Sequence, residues 1–215
     1  MAASVARAQA TAIDSSRDDY FVQIAQRWGE SSPLGALPAR SMGADDVELR
    51  VWGGYGLGGT SGVVLRRTGG RWHAWRARVV TCVIKLSTSG TGIGPDATDS
   101  TLAAEARRQC TRFTDGGGSY RSVDTLALAS ADARNAGRIW KQVLSAGALE
   151  LPPRVPRTWI MIDGFTIVIE VRRGDAYRAS RIEAIKAPEV DADRVAQQVY
   201  QIVMREYGFI REKQR

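Results

Sequence analysis

The chain has 215 residues, of which 44% are apolar and 25% are charged, values typical of a soluble globular protein. No apolar run approaches the roughly 18 to 20 residues that a bilayer-crossing helix needs, so we expect no membrane span. The single histidine and the two cysteines lack the spacing of zinc ligands, and we expect neither a metal site nor a cofactor.

The net charge is +7 and the isoelectric point is near 9.8, as in many nucleic-acid-binding proteins. Only four of the 30 basic residues are lysine, however, and codon bias in a GC-rich genome produces such an arginine excess by itself. Acidic residues are interspersed along the chain, and the sequence contains no basic tail or arm. We therefore disfavour nucleic acid as the partner and keep it as an alternative.

Residues 1–15 are predicted to be disordered. Within them, Ala8-Gln9-Ala10 has the small-x-small form that signal peptidase accepts, which would make Thr11 the first mature residue. We interpret the segment as the end of a signal peptide, and this predicts a periplasmic or secreted protein. The alternative is a disordered alanine-rich terminus on a cytoplasmic protein.

The two cysteines, Cys82 and Cys110, suit an oxidising compartment. A disulfide between them would close a loop of about 29 residues and stabilise the fold by roughly 3 to 4 kcal/mol. The alternative is a pair of free thiols, as a cytoplasmic location requires.

Residues 16–215 are predicted to form one domain that carries a flexible insertion at about 87–122. Apolar residues with helical spacing predict helices at 17–28, 131–146 and 192–207. Alternation of apolar and polar residues predicts strands at 47–52, 63–67, 71–79, 123–129, 159–162, 165–172 and 176–185. The sequence therefore predicts an α+β fold, with a mostly antiparallel β-meander sheet and helices packed on one face.

The run from Gly54 to Gly59 satisfies the GxGxxG pattern of dinucleotide-binding proteins. In those proteins a helix follows the glycines and holds the pyrophosphate at its N-terminus. Here a strand follows, so we interpret the run as a glycine-rich hairpin loop.

Arginine and aromatic residues on the predicted strands form the candidate binding site. If these strands are neighbours, the outer face of the sheet would carry guanidinium groups with aromatic rings between them. Such a face could bind anionic glycans, phosphates or an acidic protein. The alternative is the ordinary solvent-exposed face of a one-sided sheet. The candidates are Arg50, Arg76, Arg78, Arg172, Trp52, Trp72 and Tyr177.

No residue is assigned a catalytic role. Glu170 lies on the polar side of its strand and Asp175 lies in a turn, so both are expected to be solvated charges. A hydrolase-like enzyme would need a site assembled from acids and hydroxyls that the sequence does not reveal. A cleft lined by carboxylates with raised pKa values would favour that alternative.

Three segments, Glu48-Leu-Arg-Val-Trp52, Arg71-Trp-His-Ala-Trp-Arg76 and the hairpin from Asp163 to Arg178, resemble a class of small, uncharacterised bacterial proteins. The resemblance spans about residues 46–205. Because those proteins usually carry a secretion signal, it implies an extracytoplasmic setting and no particular chemistry. The leading functional hypothesis is thus a non-catalytic extracytoplasmic binding protein, with an anionic ligand or an envelope protein as its partner.

Overall fold

The computed structural model describes residues 22–23, 25–26, 34–35, 37–55, 58–84, 91–92, 104, 108, 121–155, 165–184 and 188–207. Residues 1–15, the strand predicted at 159–162 and most of the 87–122 insertion lie outside this set. The strands are β1 (Val47–Tyr55), β2 (Gly58–Thr68), β3 (Arg71–Ile84), β4 (Thr91–Gly92), β5 (Arg121–Ala131), β6 (Phe165–Arg173) and β7 (Ala176–Ala184). The two helices with defined bounds are α1 (Ala136–Ser145) and α2 (Asp191–Glu206).

Six strands form one antiparallel sheet in the order β5-β3-β2-β1-β6-β7, and the two-residue β4 pairs with the end of β3. Strands β1, β2 and β3 form a meander, as predicted. The β1–β2 hairpin contains the GxGxxG run, with Tyr55 opposite Gly58. At the β2–β3 turn, Gly69 and Gly70 have φ values of +55° and +79°, the left-handed pair that a tight hairpin turn requires.

One face of the sheet packs against both helices, and we call it the helix face. Side chains at alternate positions of β1 and β6 point to this face and are buried with the apolar sides of α1 and α2. Ile139 and Val143 of α1, and Val199 and Val203 of α2, belong to this core. The prediction of an α+β fold with a mostly antiparallel meander sheet is therefore confirmed.

The opposite face is covered by the N-terminal part of the chain, and we call it the cover face. The N-terminal cover consists of the described residues from 22 to 42, among which Val22, Gln23, Ala25 and Gln26 are helical. Its apolar side chains Val22, Ala25, Leu34 and Leu37 pack on Trp52, Val64, Val168 and Tyr177 of the sheet. The central strands are consequently buried on both faces, whereas the sequence pattern predicts strands buried on one.

Several predicted element boundaries are wrong. The helix predicted at 131–146 begins at Ala136, because β5 continues to Ala131, which pairs with Ala74. Asn135 therefore occupies the position before the helix. The meander strands are also longer than predicted, since β1 and β2 continue toward their glycine-rich turn.

Among the residues described, no helix has the length and apolar character needed to cross a membrane.

Candidate functional site

The structure divides the seven predicted binding residues between the two faces. Four lie on the cover face and are largely inaccessible to solvent, namely Arg50 at 0%, Trp52 at 1%, Tyr177 at 2% and Arg172 at 8% exposure. The other three, Trp72, Arg76 and Arg78, are half-buried and lie on the helix side of β3. Arg76 pairs with Val63, which faces the helices. The open arginine-rich outer face expected from the sequence is therefore not what the structure shows.

A repeated pattern brings charges together on the cover face. Both β1 and β6 contain a Glu-x-Arg triplet, Glu48–Arg50 and Glu170–Arg172, and the two strands are antiparallel. Their register places Glu48 opposite Arg172 and Arg50 opposite Glu170. Opposite charges that face each other across two strands stabilise the pairing. This reciprocal pattern is the sequence signal that could have identified the buried site.

Glu48 is the centre of a buried ion cluster. Its Oε1 accepts a bond of 2.7 Å from Arg50 Nε, and its Oε2 accepts bonds of 2.6 Å from Arg66 Nε and 3.0 Å from Arg40 Nη1. The Glu48 and Arg50 side chains are fully buried, while Arg40 and Arg66 are 23% and 17% exposed. Burial alone would raise the pKa of Glu48, but the attraction and hydrogen bonds of Arg50 and Arg66 hold it below its usual range.

Backbone carbonyl groups of the N-terminal cover accept further bonds from these arginines. Arg50 Nη2 donates to the Gly35 oxygen at 2.8 Å and to the Leu34 oxygen at 3.4 Å. Arg172 Nη1 donates to the oxygens of Leu37, at 3.1 Å, and Pro38. The arginines thus attach the cover to the sheet through its main chain.

Glu170 is the final acceptor of a second buried network, which consists of side-chain hydrogen bonds. Gln26 Nε2 donates to Tyr177 Oη at 2.9 Å, and Tyr177 Oη donates to Glu170 Oε1 at 3.1 Å. Trp52 Nε1 donates to Glu170 Oε2 at 2.9 Å. Glu170 is 0% exposed, so the expectation of a solvated charge is wrong. The cover and the cross-strand neighbours bury it, and a local sequence pattern does not reveal either.

Asp175 is exposed in the β6–β7 turn, as expected.

Burial raises the pKa of Glu170, against the opposing attraction of Arg50 and the hydrogen bonds from Trp52 and Tyr177. The folded chain therefore binds this proton more tightly than the unfolded chain does. Consequently the group favours folding at low pH, and this contribution is lost as the pH rises from the ordinary glutamate range through the folded pKa.

Replacing Glu170 with glutamine removes this titration. We expect the stability of Glu170→Gln relative to the wild type to increase as the pH is raised from about 4 to about 8. Urea unfolding across that range measures the difference. Glu150→Gln, at an exposed carboxylate, controls for the loss of one negative charge. A Glu170→Gln difference that stays constant with pH would contradict the assignment.

An accessible strip of cationic and aromatic side chains borders the buried networks. The Arg66 guanidinium lies 5.1 Å from the centre of the Trp75 ring, within cation–π range. The Trp75 ring stacks on His73, with 5.9 Å between centres and 20° between planes. Trp75 is half-buried and His73 is exposed. We call Arg40, Arg66, His73 and Trp75 the accessible strip. None of the four is among the binding residues predicted from the sequence.

Other candidates stay predictions. Cys82 lies in β3 opposite Val123, whereas Cys110 lies outside the described residues, so the disulfide remains untested. Within the described part of the chain, no group of three His, Cys, Asp or Glu residues could hold a metal ion.

Taken together, the fold and the site define an α+β protein whose central antiparallel strands bury an arginine–glutamate network under an N-terminal cover. Comparisons with family models, with curated proteins and with solved structures find no match. The resemblance to small secreted bacterial proteins therefore stays a prediction, and so does the extracytoplasmic setting.

Proposed function

We propose that this chain is a non-catalytic, extracytoplasmic binding protein for anionic ligands. The observation that carries the proposal is the accessible strip, in which Arg66 lies against the Trp75 ring that stacks on His73, and Arg40 shares the Glu48 carboxylate with Arg66. Guanidinium groups bind phosphate, sulfate and carboxylate oxygens, and aromatic rings contact the planar or apolar part of the same molecule. The net charge of +7 adds long-range attraction for anions.

The two carboxylates of the cover face support binding over hydrolysis. Glu48 and Glu170 are both fully buried, and each accepts bonds from side chains of the fold itself. Only Glu170 has a raised pKa, and it points into the protein network described above, so it does not provide the carboxylate-lined cleft that the enzyme alternative requires.

A sulfated glycan, heparin, is the first probe. We expect Arg66→Gln and Trp75→Ala each to weaken heparin binding about tenfold, measured by calorimetry at fixed salt. The matched control is Arg138→Gln, because Arg138 is an exposed arginine on α1 whose loss changes the net charge equally.

Equal weakening by Arg66→Gln and Arg138→Gln would mean that net charge alone attracts the polymer, and would overturn the proposal. Absence of heparin binding by the wild type would overturn it as well. Tighter, strip-dependent binding of a single-stranded oligonucleotide would replace it with the nucleic-acid alternative, since stacked rings beside arginines also suit unpaired bases.

A further inference from the structure

Among the residues that the structure describes, the cover face carries more guanidinium groups than carboxylates. Arg40, Arg50 and Arg66 all share the carboxylate of Glu48. Arg172 contacts no carboxylate among the described residues, although it is only 8% exposed, and its Nε donates to the Gly174 carbonyl at 3.0 Å. An arginine buried without a counter-ion is costly unless its donors are well satisfied.

Arg50 is also incompletely satisfied. Its side chain is fully buried, and its Nη1 has no hydrogen-bond partner among the described residues. Its Nη2 donates to carbonyl oxygens of Leu34 and Gly35, as described above. Neutral carbonyl oxygens lack the negative charge of carboxylate, phosphate or sulfate oxygens, which also accept two parallel bonds from one guanidinium.

The register places these two arginines on the same face of adjacent strands. Arg172 is opposite Glu48 and Arg50 is opposite Glu170, so Arg50 and Arg172 are diagonal neighbours on adjacent strands. The backbone positions of diagonal neighbours on one face are about 7–8 Å apart, and two long arginine side chains at that spacing can both reach one tetrahedral anion. The carbonyl groups of residues 34–35 and 37–38 now take the donors that such an anion would use.

We propose that Arg50 and Arg172 form an occluded oxoanion subsite, which takes a phosphate or sulfate group of the ligand when that group replaces the carbonyl oxygens of residues 34–35 and 37–38. This inference rests on the proposed function, because it adds a second contact to the ligand of the accessible strip. It also gives the N-terminal cover a role as an internal competitor for the arginine donors.

Inorganic pyrophosphate tests the subsite in the full-length chain. We expect Arg172→Gln to weaken pyrophosphate binding about tenfold by calorimetry, and Arg172→Lys, which keeps the charge, to retain part of it. Arg173→Gln is the matched control, because Arg173 is the next residue of β6 and is exposed. We expect the control to bind like the wild type.

Hydrogen exchange supplies a readout that a purely structural role of Arg172 would not change. In the wild type, pyrophosphate is expected to accelerate amide exchange of the cover residues 34–42 about threefold or more, while β1 and β6 stay protected. Unchanged exchange of 34–42, or equal affinity of Arg172→Gln and the wild type, would overturn the subsite.

The two proposals can fail separately. If Arg66→Gln weakens heparin binding while Arg172→Gln leaves pyrophosphate binding unaffected, the accessible strip stands and the subsite is wrong. If pyrophosphate binding depends on Arg172 while heparin binding does not depend on Trp75, the subsite stands and the accessible strip is wrong. Thermal unfolding of each variant shows whether lost binding reflects lost folding. For Arg172→Gln the comparison is with Arg172→Lys, which keeps the charge.

Discussion

Glu48→Gln is expected to destabilise the folded chain by about 3–5 kcal/mol. Glu48 is the shared acceptor for Arg40, Arg50 and Arg66, and it is fully buried with Arg50. Glutamine keeps the shape but removes the negative charge and one acceptor oxygen, so a buried guanidinium loses its counter-ion. That loss is far more costly than the loss of an exposed ion pair, and it is a large fraction of the stability of a typical domain.

Urea unfolding monitored by circular dichroism at neutral pH measures this effect. The control is Asp132→Asn, because Asp132 pairs with Arg134 where both side chains are mostly exposed, and no change in the unfolding midpoint is expected there. Because the pKa of Glu48 is below its usual range, its contribution persists at neutral pH and is lost as the pH falls through that lowered value. An effect of Glu48→Gln as small as that of the control would contradict the role of Glu48 as the shared counter-ion.

Gly62→Ala is expected to destabilise the chain by about 1–3 kcal/mol through overpacking. Gly62 is the cross-strand partner of Trp52, and a Cβ at position 62 would lie 2.2 Å from Trp52 Cε3. The indole cannot move away easily, because it is 1% exposed and its Nε1 donates to Glu170. Because Gly62 has no side chain, it leaves room for Trp52, the largest of the fully buried side chains among the described residues.

Ser61→Ala, at the neighbouring half-buried position of β2, is the control for a small change in the same strand and is expected to be nearly neutral. The double variant Gly62→Ala/Trp52→Leu tests the cause directly. If the clash is responsible, Gly62→Ala costs less in the Trp52→Leu background than in the wild type. Equal costs in the two backgrounds would show that the indole is not what position 62 must avoid.

The helix face could be predicted from sequence because its information is local. Val47, Leu49 and Val51 alternate along one strand, and Ile139 and Val143 repeat with the helical period, so each element reveals its own buried side. The antiparallel meander and the α+β class follow from that pattern together with the turn residues.

The cover face could not be predicted in the same way. Polar residues such as Glu48 and Glu170 indicate solvent when a strand is considered alone, and only the pairing of β1 with β6 and the cover above them change that conclusion. The stacking of Trp75 on His73 depends on the alternation of β3 and on its place beside Arg66, so a local pattern predicts only an ordinary strand there. The reciprocal Glu-x-Arg triplets were visible in the sequence, but their meaning depends on an antiparallel register that no local pattern specifies.

The position of β1 between β2 and β6 has a consequence for synthesis on the ribosome. The meander β1–β3 can form early, but β1 keeps an unpaired edge until β6 has been made, since Trp52 finds its acceptor 118 residues further along the chain. The bond from Gln26 to Tyr177 joins residues 151 apart. The N-terminal cover is therefore synthesised before β6 and β7 but completes its docking only after them, which predicts slow folding and a nascent chain whose open strand edge needs protection from other chains.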